Sequence, residues 1–353
     1  MQTPPETGEG KGAIRHIEAA LGVLVVLLSV SYAADLHRQV GLSIYDAQLL
    51  AAALALALAT GFLGMVRHAT LVPVKVMAGL AAVATLGVGA YVAAFYVDIS
   101  MDAPFAPGWL VALSSVLFFG LLLNLRSSAG LGILIVVLVF VAYGLFGHLA
   151  PGEFQSRQTM WNELIVYLAI DANGMLGTAL KVAVVIVVPY LLFGQLLAAC
   201  GAADFFNDLA LSAMGRFRGG PAKVAVSASA FFGSISGSAV GNVVGTGVVT
   251  IPMMKRAGFP ATYAGAVEAV ASTGGQLVPP VMGAAAFIMA DFLGVDYSDV
   301  MLAALPSALL YYLAVFINVD LRAARRGISS VPREDIPSGW AALKAGWHFI
   351  LPF

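Results

Sequence analysis

The sequence predicts an all-α integral membrane protein, a multi-helix bundle with one re-entrant hairpin and one discontinuous helix. Three observations carry that reading. Hydrophobic residues make up 60% of the 353 positions and charged residues only 10%, against about 25% charged in a soluble domain. Seven charge-free stretches approach or exceed the ~20 apolar residues that span roughly 30 Å of hydrocarbon. Two further apolar regions have lengths that fit no whole number of straight crossings. The mean hydropathy of +0.92 excludes a water-facing globule and a disordered chain alike. The net charge of -1 gives no basis for nucleic-acid binding. Cys200 is the single cysteine, so there is no intrachain disulfide and no Cys/His metal spacing. The 38 Gly and 16 Pro show no period, which excludes a collagen-like chain.

The first stretch, Ala19–Ala34, is short and is extended by Ile14 and Ile17. Ala47–Val66, Val76–Val97, Ala103–Leu125, Ser127–Gly152, Val182–Ala203 and Val300–Val319 follow. The leader Met1–Gly12 is polar and lacks a basic start, a short apolar core and a small-residue cleavage site. The first helix is therefore expected to be retained. With Lys11 and Arg15 placed inside, simple alternation puts Arg67, Lys75, Arg126, Arg216, Arg218 and Lys223 inside too. The same count leaves Asp35, Asp46, Asp98, Asp102, Glu153, Glu163 and Asp171 outside. Only Arg38 and Arg157 break the positive-inside bias, so the N-terminus is expected to be cytoplasmic.

Val224–Met254 is a run of 31 residues without a charge. It lies between Lys223 and the pair Lys255-Arg256, so both ends are expected on the cytoplasmic side. One crossing would separate them, and two full crossings need about 40 residues. Two arms of about 14 residues, each about 21 Å long, fit a re-entrant hairpin. Its turn is expected within Gly233–Asn242, where Gly237 and Gly241 permit sharp backbone angles and Ser234, Ser236, Ser238 and Asn242 supply oxygens. Non-helical backbone at membrane depth persists only where protein or a watery cavity surrounds it, so the tip is a candidate site. The plainer reading is one long helix whose small residues allow close packing.

Ala257–Ala290 spans 34 residues with one charge, Glu268, and a straight helix of that length would be about 51 Å long. Gly274, Gly275, Pro279 and Pro280 interrupt it, which predicts half-helices near Ala261–Thr273 and Val281–Phe292 rather than a mere proline kink. Ser272, Thr273, Gln276 and the carbonyls of the break form a second set of oxygens. Two interrupted segments side by side are a signature of secondary transporters, in which unwound carbonyls hold a coupling cation. Hard cations take oxygen ligands.

The runs GGPAKVAVSASAFFGSISGSAVGNVVGTGVVTIPMMKRAGFP and AGAVEAVASTGGQLVPPVMGAAAFIMADFLGV closely resemble the membrane subunit of TRAP transporters. More narrowly, the chain is similar to TAXI-type fused permeases, in which a four-helix module precedes the large subunit. The likeness covers roughly Tyr143–Phe353, and Gly12–Leu125 only by topology. It implies an elevator-type transporter of the bacterial or archaeal cytoplasmic membrane, built from two inverted repeats. It also implies a TAXI-type periplasmic substrate-binding protein as partner, and uptake of organic acids coupled to Na+, with H+ the alternative. Carried over, the cation site would take Ser236, Gly237, Ser238, Gly274, Gly275 and Pro279. Asn242, Gln276, Glu268 and Thr273 would contact substrate or support the site. The organisation expected is a four-helix module over 1–126 and a connecting helix with a periplasmic loop over 127–171. A first transport repeat follows over 172–327, with the hairpin at 222–256 and the broken helix at 259–293. A cytoplasmic linker and the start of a next helix occupy 328–353. Fused family permeases are about twice as long, so a second half of the large subunit is an expected partner. The alternatives are a non-transporting accessory subunit and a permease fragment.

Glu268 admits two roles, proton carrier or structural carboxylate bonded to a neighbouring hydroxyl. The neutral oxygens of tip and break favour sodium and hence the second. Lys181 is expected to snorkel, His148 to be structural, Cys200 to be a small buried hydrophobe, and Arg216, Arg218 and Lys223 to orient the chain. Asp204, Asp208 and Phe205-Phe206 suggest an interfacial amphipathic segment, and Tyr311-Tyr312, Trp340 and Trp347 interface anchors. An enzyme is not expected. Ser236-Gly237 would need a base, and His16, His37, His68, His148 and His348 all lie near helix ends or loops. The Gly241–Gly247 glycines follow no strand, as a dinucleotide site requires. A channel is the lesser alternative, since no repeated filter or charged ring is visible in the sequence.

Overall fold

The structure is a computed structural model and describes residues 8–350. The leader Met1–Thr7, expected to be cytoplasmic, and the final Leu351–Phe353 lie outside the described residues, as does the side chain of Lys11. The described residues are almost entirely helical and include no strand. They fold as two compact units, one up to Val188 and one from Pro189.

The first unit holds α1 (Gly8–Ala33), α2 (Asp46–His68), α3 (Val72–Asp102), α4 (Gly108–Ser128), α5 (Gly130–Phe146) and the short α6 (Trp161–Ile170). It ends within α7 (Thr178–Ala199). On α2 the residues Leu50, Leu54, Leu58 and Phe62 recur every fourth position and are buried, the spacing of one helix face. They pack with Val92, Leu110, Leu117, Ile165 and Ile170 or against α3. On α3 the buried residues are mostly small (Ala78, Ala82, Thr85, Gly89), while Met77, Leu80 and Val83 are exposed. Small residues inward and large ones outward suit helices packed in lipid. Polar ends are tied by ion pairs. Arg67 reaches Glu18 at 3.0 Å. Lys181, expected to snorkel, meets Asp46 at 2.5 Å, and the Tyr32 hydroxyl donates to the same carboxylate. His148 packs its Nδ1 3.0 Å from the Leu145 carbonyl.

The second unit continues with α8 (Ala202–Met214), α9 (Gly220–Ser236), α10 (Ala239–Arg256), α11 (Ala261–Gly274), α12 (Ala284–Leu293), α13 (Tyr297–Arg326) and α14 (Gly339–Gly346). Across the described residues α1 to α5, α7 and α13 are long and apolar enough to cross a membrane. Each coincides with one charge-free stretch of the sequence. One expectation, on Cys200, is corrected. Phe205 and Phe206, expected on an interfacial amphipathic segment, are buried with Phe232, Ile235 and Phe349, because the apolar face of α8 has the hairpin arm to pack against. Cys200 is exposed, since it follows the last turn of α7 at Gly201, where φ is +99° and the chain leaves the packed face.

The arms α9 and α10 lie side by side. Asn242 Nδ2 donates to the Ser229 carbonyl at 2.7 Å, and the Ser229 and Thr246 hydroxyls are 3.2 Å apart. The turn is tighter than the expected Gly233–Asn242 span. Gly237, at φ +56°, closes α9, and Ser238 opens α10 by accepting the Gly241 N–H on its side chain. A left-handed glycine followed at once by an N-cap serine needs no further residues. Gly241 therefore sits inside a helix and supplies no bend, and the arms reach 17 and 18 residues.

The broken helix matches the predicted halves to within a few residues. Between α11 and α12 come a 3-10 turn, Gly275–Leu277, two prolines without N–H groups, and Met282 at φ +58°. Protein groups hold this segment. Val281 N donates to the Ser234 carbonyl at 3.0 Å and Gly283 N to the Gln276 carbonyl at 2.8 Å. Tyr297 donates to the Pro280 and Val281 carbonyls at 2.9 and 2.6 Å. Tyr311 and Tyr312, read from sequence as interface anchors, instead donate to the Val270 and Ala271 carbonyls at 2.9 and 2.8 Å.

The hairpin and the break touch at glycines. A Cβ on Gly233 would stand 2.5 Å from the Gly275 Cα, so the two backbones are in direct contact. Gly233→Ala is expected to destabilise the protein by about 1–3 kcal/mol through overpacking. Gly265→Ala, with nothing within 4 Å, is expected to be neutral or to gain up to about 1 kcal/mol of helix propensity. Thermal melts of both variants in detergent check this, and equal shifts would refute the contact.

Candidate functional site

The tip of the hairpin is an oxygen-rich end that has not found all its partners. Ser236, the last residue of α9, is 4% exposed, and its buried Oγ has no hydrogen-bond partner. Among the described residues the carbonyls of Ile235 and Ser236 accept no hydrogen bond, whereas those of Gly233 and Ser234 are taken by Gly237 N and Val281 N. In the break, the carbonyls of Leu277, Val278 and Pro279 are equally open. A buried hydroxyl without a partner is destabilising by about 1–3 kcal/mol, and the C-terminal end of α9 carries the partial negative charge of the helix dipole. Both features favour a cation.

The tip reaches the break. A Cβ on Gly237 would meet the Met282 carbonyl oxygen at 2.2 Å, so only glycine fits between α9 and that carbonyl. Met282 holds a left-handed conformation that non-glycine residues rarely adopt, and such backbone concentrates at functional sites. Ser238 is engaged as the N-cap, its Oγ 3.2 Å from Gly241 N. Gly275 faces Gly233 and the Asn242 amide, and Gly274 lies under the ring of Tyr311. Pro279 is half-buried beside them.

The supporting residues divide. Asn242 is fully buried and spans the hairpin arms. Gln276 is exposed and uses its carbonyl to hold Gly283. Thr273 is also exposed, with its hydroxyl turned back to the Ala269 carbonyl at 2.8 Å, so the structure does not bring it to the tip. Glu268 lies in a closed nest of hydroxyls. Its Oε1 is 2.5 Å from Thr246 Oγ1, 3.1 Å from Ser229 Oγ and 3.3 Å from Ser272 Oγ. Its Oε2 is 2.5 Å from Thr250 Oγ1. Ser229, Thr246, Thr250, Tyr297 and Met282 were not singled out from the sequence. A signal was present for two of them: Asn242, Thr246 and Thr250 fall four apart on α10, and Glu268 and Ser272 four apart on α11, each a single polar line along an apolar helix.

Farther along α13, Asp320 accepts from Arg218 and, at 2.7 Å, from Lys223. These bases therefore join α13 to the start of α9, as orienting groups with a partner.

Comparison with known proteins fits this architecture. Residues 116–353 match the family described as the tripartite ATP-independent periplasmic transporter, DctM component. An uncharacterised protein of Sinorhizobium fredii, y4mL, is 34% identical over 41% of this chain and 34% of its own length. The C4-dicarboxylate TRAP transporter large permease protein DctM of Pseudomonas aeruginosa is 29% identical over 46% of this chain and 38% of its own. The sialic acid TRAP transporter permease protein SiaT of Haemophilus influenzae is 26% identical over 70% of this chain and 39% of its own. The matched regions thus span little more than a third of each relative. DctM and SiaT are by their names transport proteins rather than enzymes, and the seven apolar helices with this kinship make the chain a multi-pass protein of the bacterial inner membrane. With its hairpin, its broken helix and a family match over well more than half its length, the chain belongs to the DctM component family of tripartite ATP-independent periplasmic transporters.

Proposed function

We propose that the chain is the membrane component of a cation-coupled, binding-protein-dependent secondary transporter for organic acids, working with a second half that supplies the complementary repeat. The observation that carries this is the partnerless Ser236 hydroxyl, set beside open carbonyls where the hairpin tip meets the broken helix. Sodium is the coupling ion in this reading, because the tip offers neutral oxygens and hard cations take oxygen ligands. Two of the named relatives are transporters of acids, C4-dicarboxylates and sialic acid, which supports the substrate class. The TAXI-type, fused-module assignment rests on the sequence resemblance, and so does the partnership with a TAXI-type periplasmic binding protein.

The hairpin is re-entrant in this reading. Its arms of 17 and 18 residues are about 26 and 27 Å long at the α-helical rise, short of the ~30 Å hydrocarbon core, and both outer ends are basic. Cysteines placed at the exposed Arg216 and Lys255, in a Cys200→Ser background, are expected to react with an impermeant reagent from the same side. Reaction from opposite sides would remove the re-entrant hairpin.

Ser236→Ala is expected to raise the sodium concentration for half-maximal uptake by about 5- to 150-fold, the equivalent of about 1–3 kcal/mol for one lost polar partner. The measurement is uptake into proteoliposomes holding the chain, its second half and the binding protein, with sodium and pH varied separately. Unchanged sodium dependence at normal expression would reject the site.

A further inference from the structure

We infer that Glu268 is a proton-binding site separate from the hairpin tip, and that its charge sets how tightly the hairpin is held to α11. The inference rests on the membrane reading of the chain and does not require the transport reading. Glu268 is a carboxyl group at 0% exposure that, among the described residues, forms no ion pair. Its surroundings are hydroxyls from three helices: Ser229 on α9, Thr246 and Thr250 on α10, and Ser272 on its own α11. The titratable group facing it from α13 is Tyr312, an electrostatic neighbour whose hydroxyl is committed to the Ala271 carbonyl. On α9 the charged Lys223 is turned to Asp320, and on α10 Lys255 and Arg256 are exposed at the far end. On α11 itself Tyr263 donates to Asn318. No fixed positive charge therefore pins the carboxylate in its ionised form.

The hydrogens can be placed for both charge states without moving a heavy atom. In the ionised form the four hydroxyls each donate to the carboxylate, three to Oε1 and one to Oε2. In the protonated form one proton from water sits on Oε2 and donates to Thr250 Oγ1. The Thr250 hydrogen then turns to the Thr246 carbonyl, already 3.0 Å away. The Thr246 hydroxyl either keeps Oε1 or turns to the Asn242 carbonyl at 2.9 Å. Uptake of the proton converts carboxylate to carboxylic acid and needs only rotation about C–O bonds. Charge-assisted bonds are about twice as strong as neutral ones, so the ionised form clamps both arms to α11 and the protonated form loosens them. Asn242 and Thr246 connect this clamp to the tip.

The test is pH-difference infrared spectroscopy of the full chain in detergent, with Glu268→Gln and Thr250→Val. On acidification the wild type is expected to show one carboxylic acid carbonyl band more than Glu268→Gln, isolated by subtracting the two difference spectra, and that band is expected to shift in frequency in Thr250→Val. Coincident wild-type and Glu268→Gln spectra would overturn the inference, and so would an unshifted band in Thr250→Val, which decides alone if Glu268→Gln fails to fold. Absence of the band alongside intact sodium-driven uptake would reject the proton site and leave the proposed function standing.

Discussion

A peptide group that leaves a helix at membrane depth has no water to turn to, so it must be satisfied by protein or by something the protein binds. Much of the second unit follows from that constraint. The hairpin ends in the middle of an apolar sequence, and the next helix breaks in the middle of another. Each interruption partly satisfies the other. The Ser234 carbonyl takes the Val281 N–H, and Gly233 and Gly237 let backbone approach backbone. Three tyrosines, Tyr297, Tyr311 and Tyr312, donate to carbonyls of the break and of the helix before it. What stays open after this mutual repair is small and local: one hydroxyl and a few carbonyls, all acceptors that suit a cation.

Beneath the tip lies a polar layer. Asn242, Thr246 and Thr250 form one line down α10, and Glu268 and Ser272 form another down α11. Where the lines meet, a carboxyl group and four hydroxyls replace the leucine and valine packing found elsewhere. Such a network is stable only when every member has a partner, and here the hydroxyls satisfy the carboxyl in either charge state. Asn242, whose amide holds the opposite arm at Ser229, links this layer to the hairpin.

Much of this was legible in the sequence, for physical reasons. Charge-free stretches mark crossings because charge in hydrocarbon is so unfavourable, and all seven found a helix. Gly274-Gly275 and Pro279-Pro280 announce the break because those residues leave helical backbone for steric causes. The turn was placed too broadly because glycine content shows where a bend is permitted, not where a capping serine ends it; Ser238 made Gly241 unnecessary. Tyr311 and Tyr312 were misread because an aromatic near an apolar run has two uses, anchoring at an interface or donating to a carbonyl, and only the fold shows which carbonyl is near. Cys200 left its expected buried environment, and Phe205 and Phe206 gained a packed one, because helix faces are decided by neighbours. The hydroxyl nest around Glu268 draws on three helices, so no single window of sequence contains it.

The central claim, that tip and break form one cation-binding unit, is tested most directly by hydrogen–deuterium exchange of the full chain with and without sodium. Sodium is expected to slow exchange together in the peptides covering residues 233–242 and 274–283, and Gly233→Ala to abolish the effect in both. Protection confined to one of the two segments, or no protection in either at saturating sodium, would contradict it.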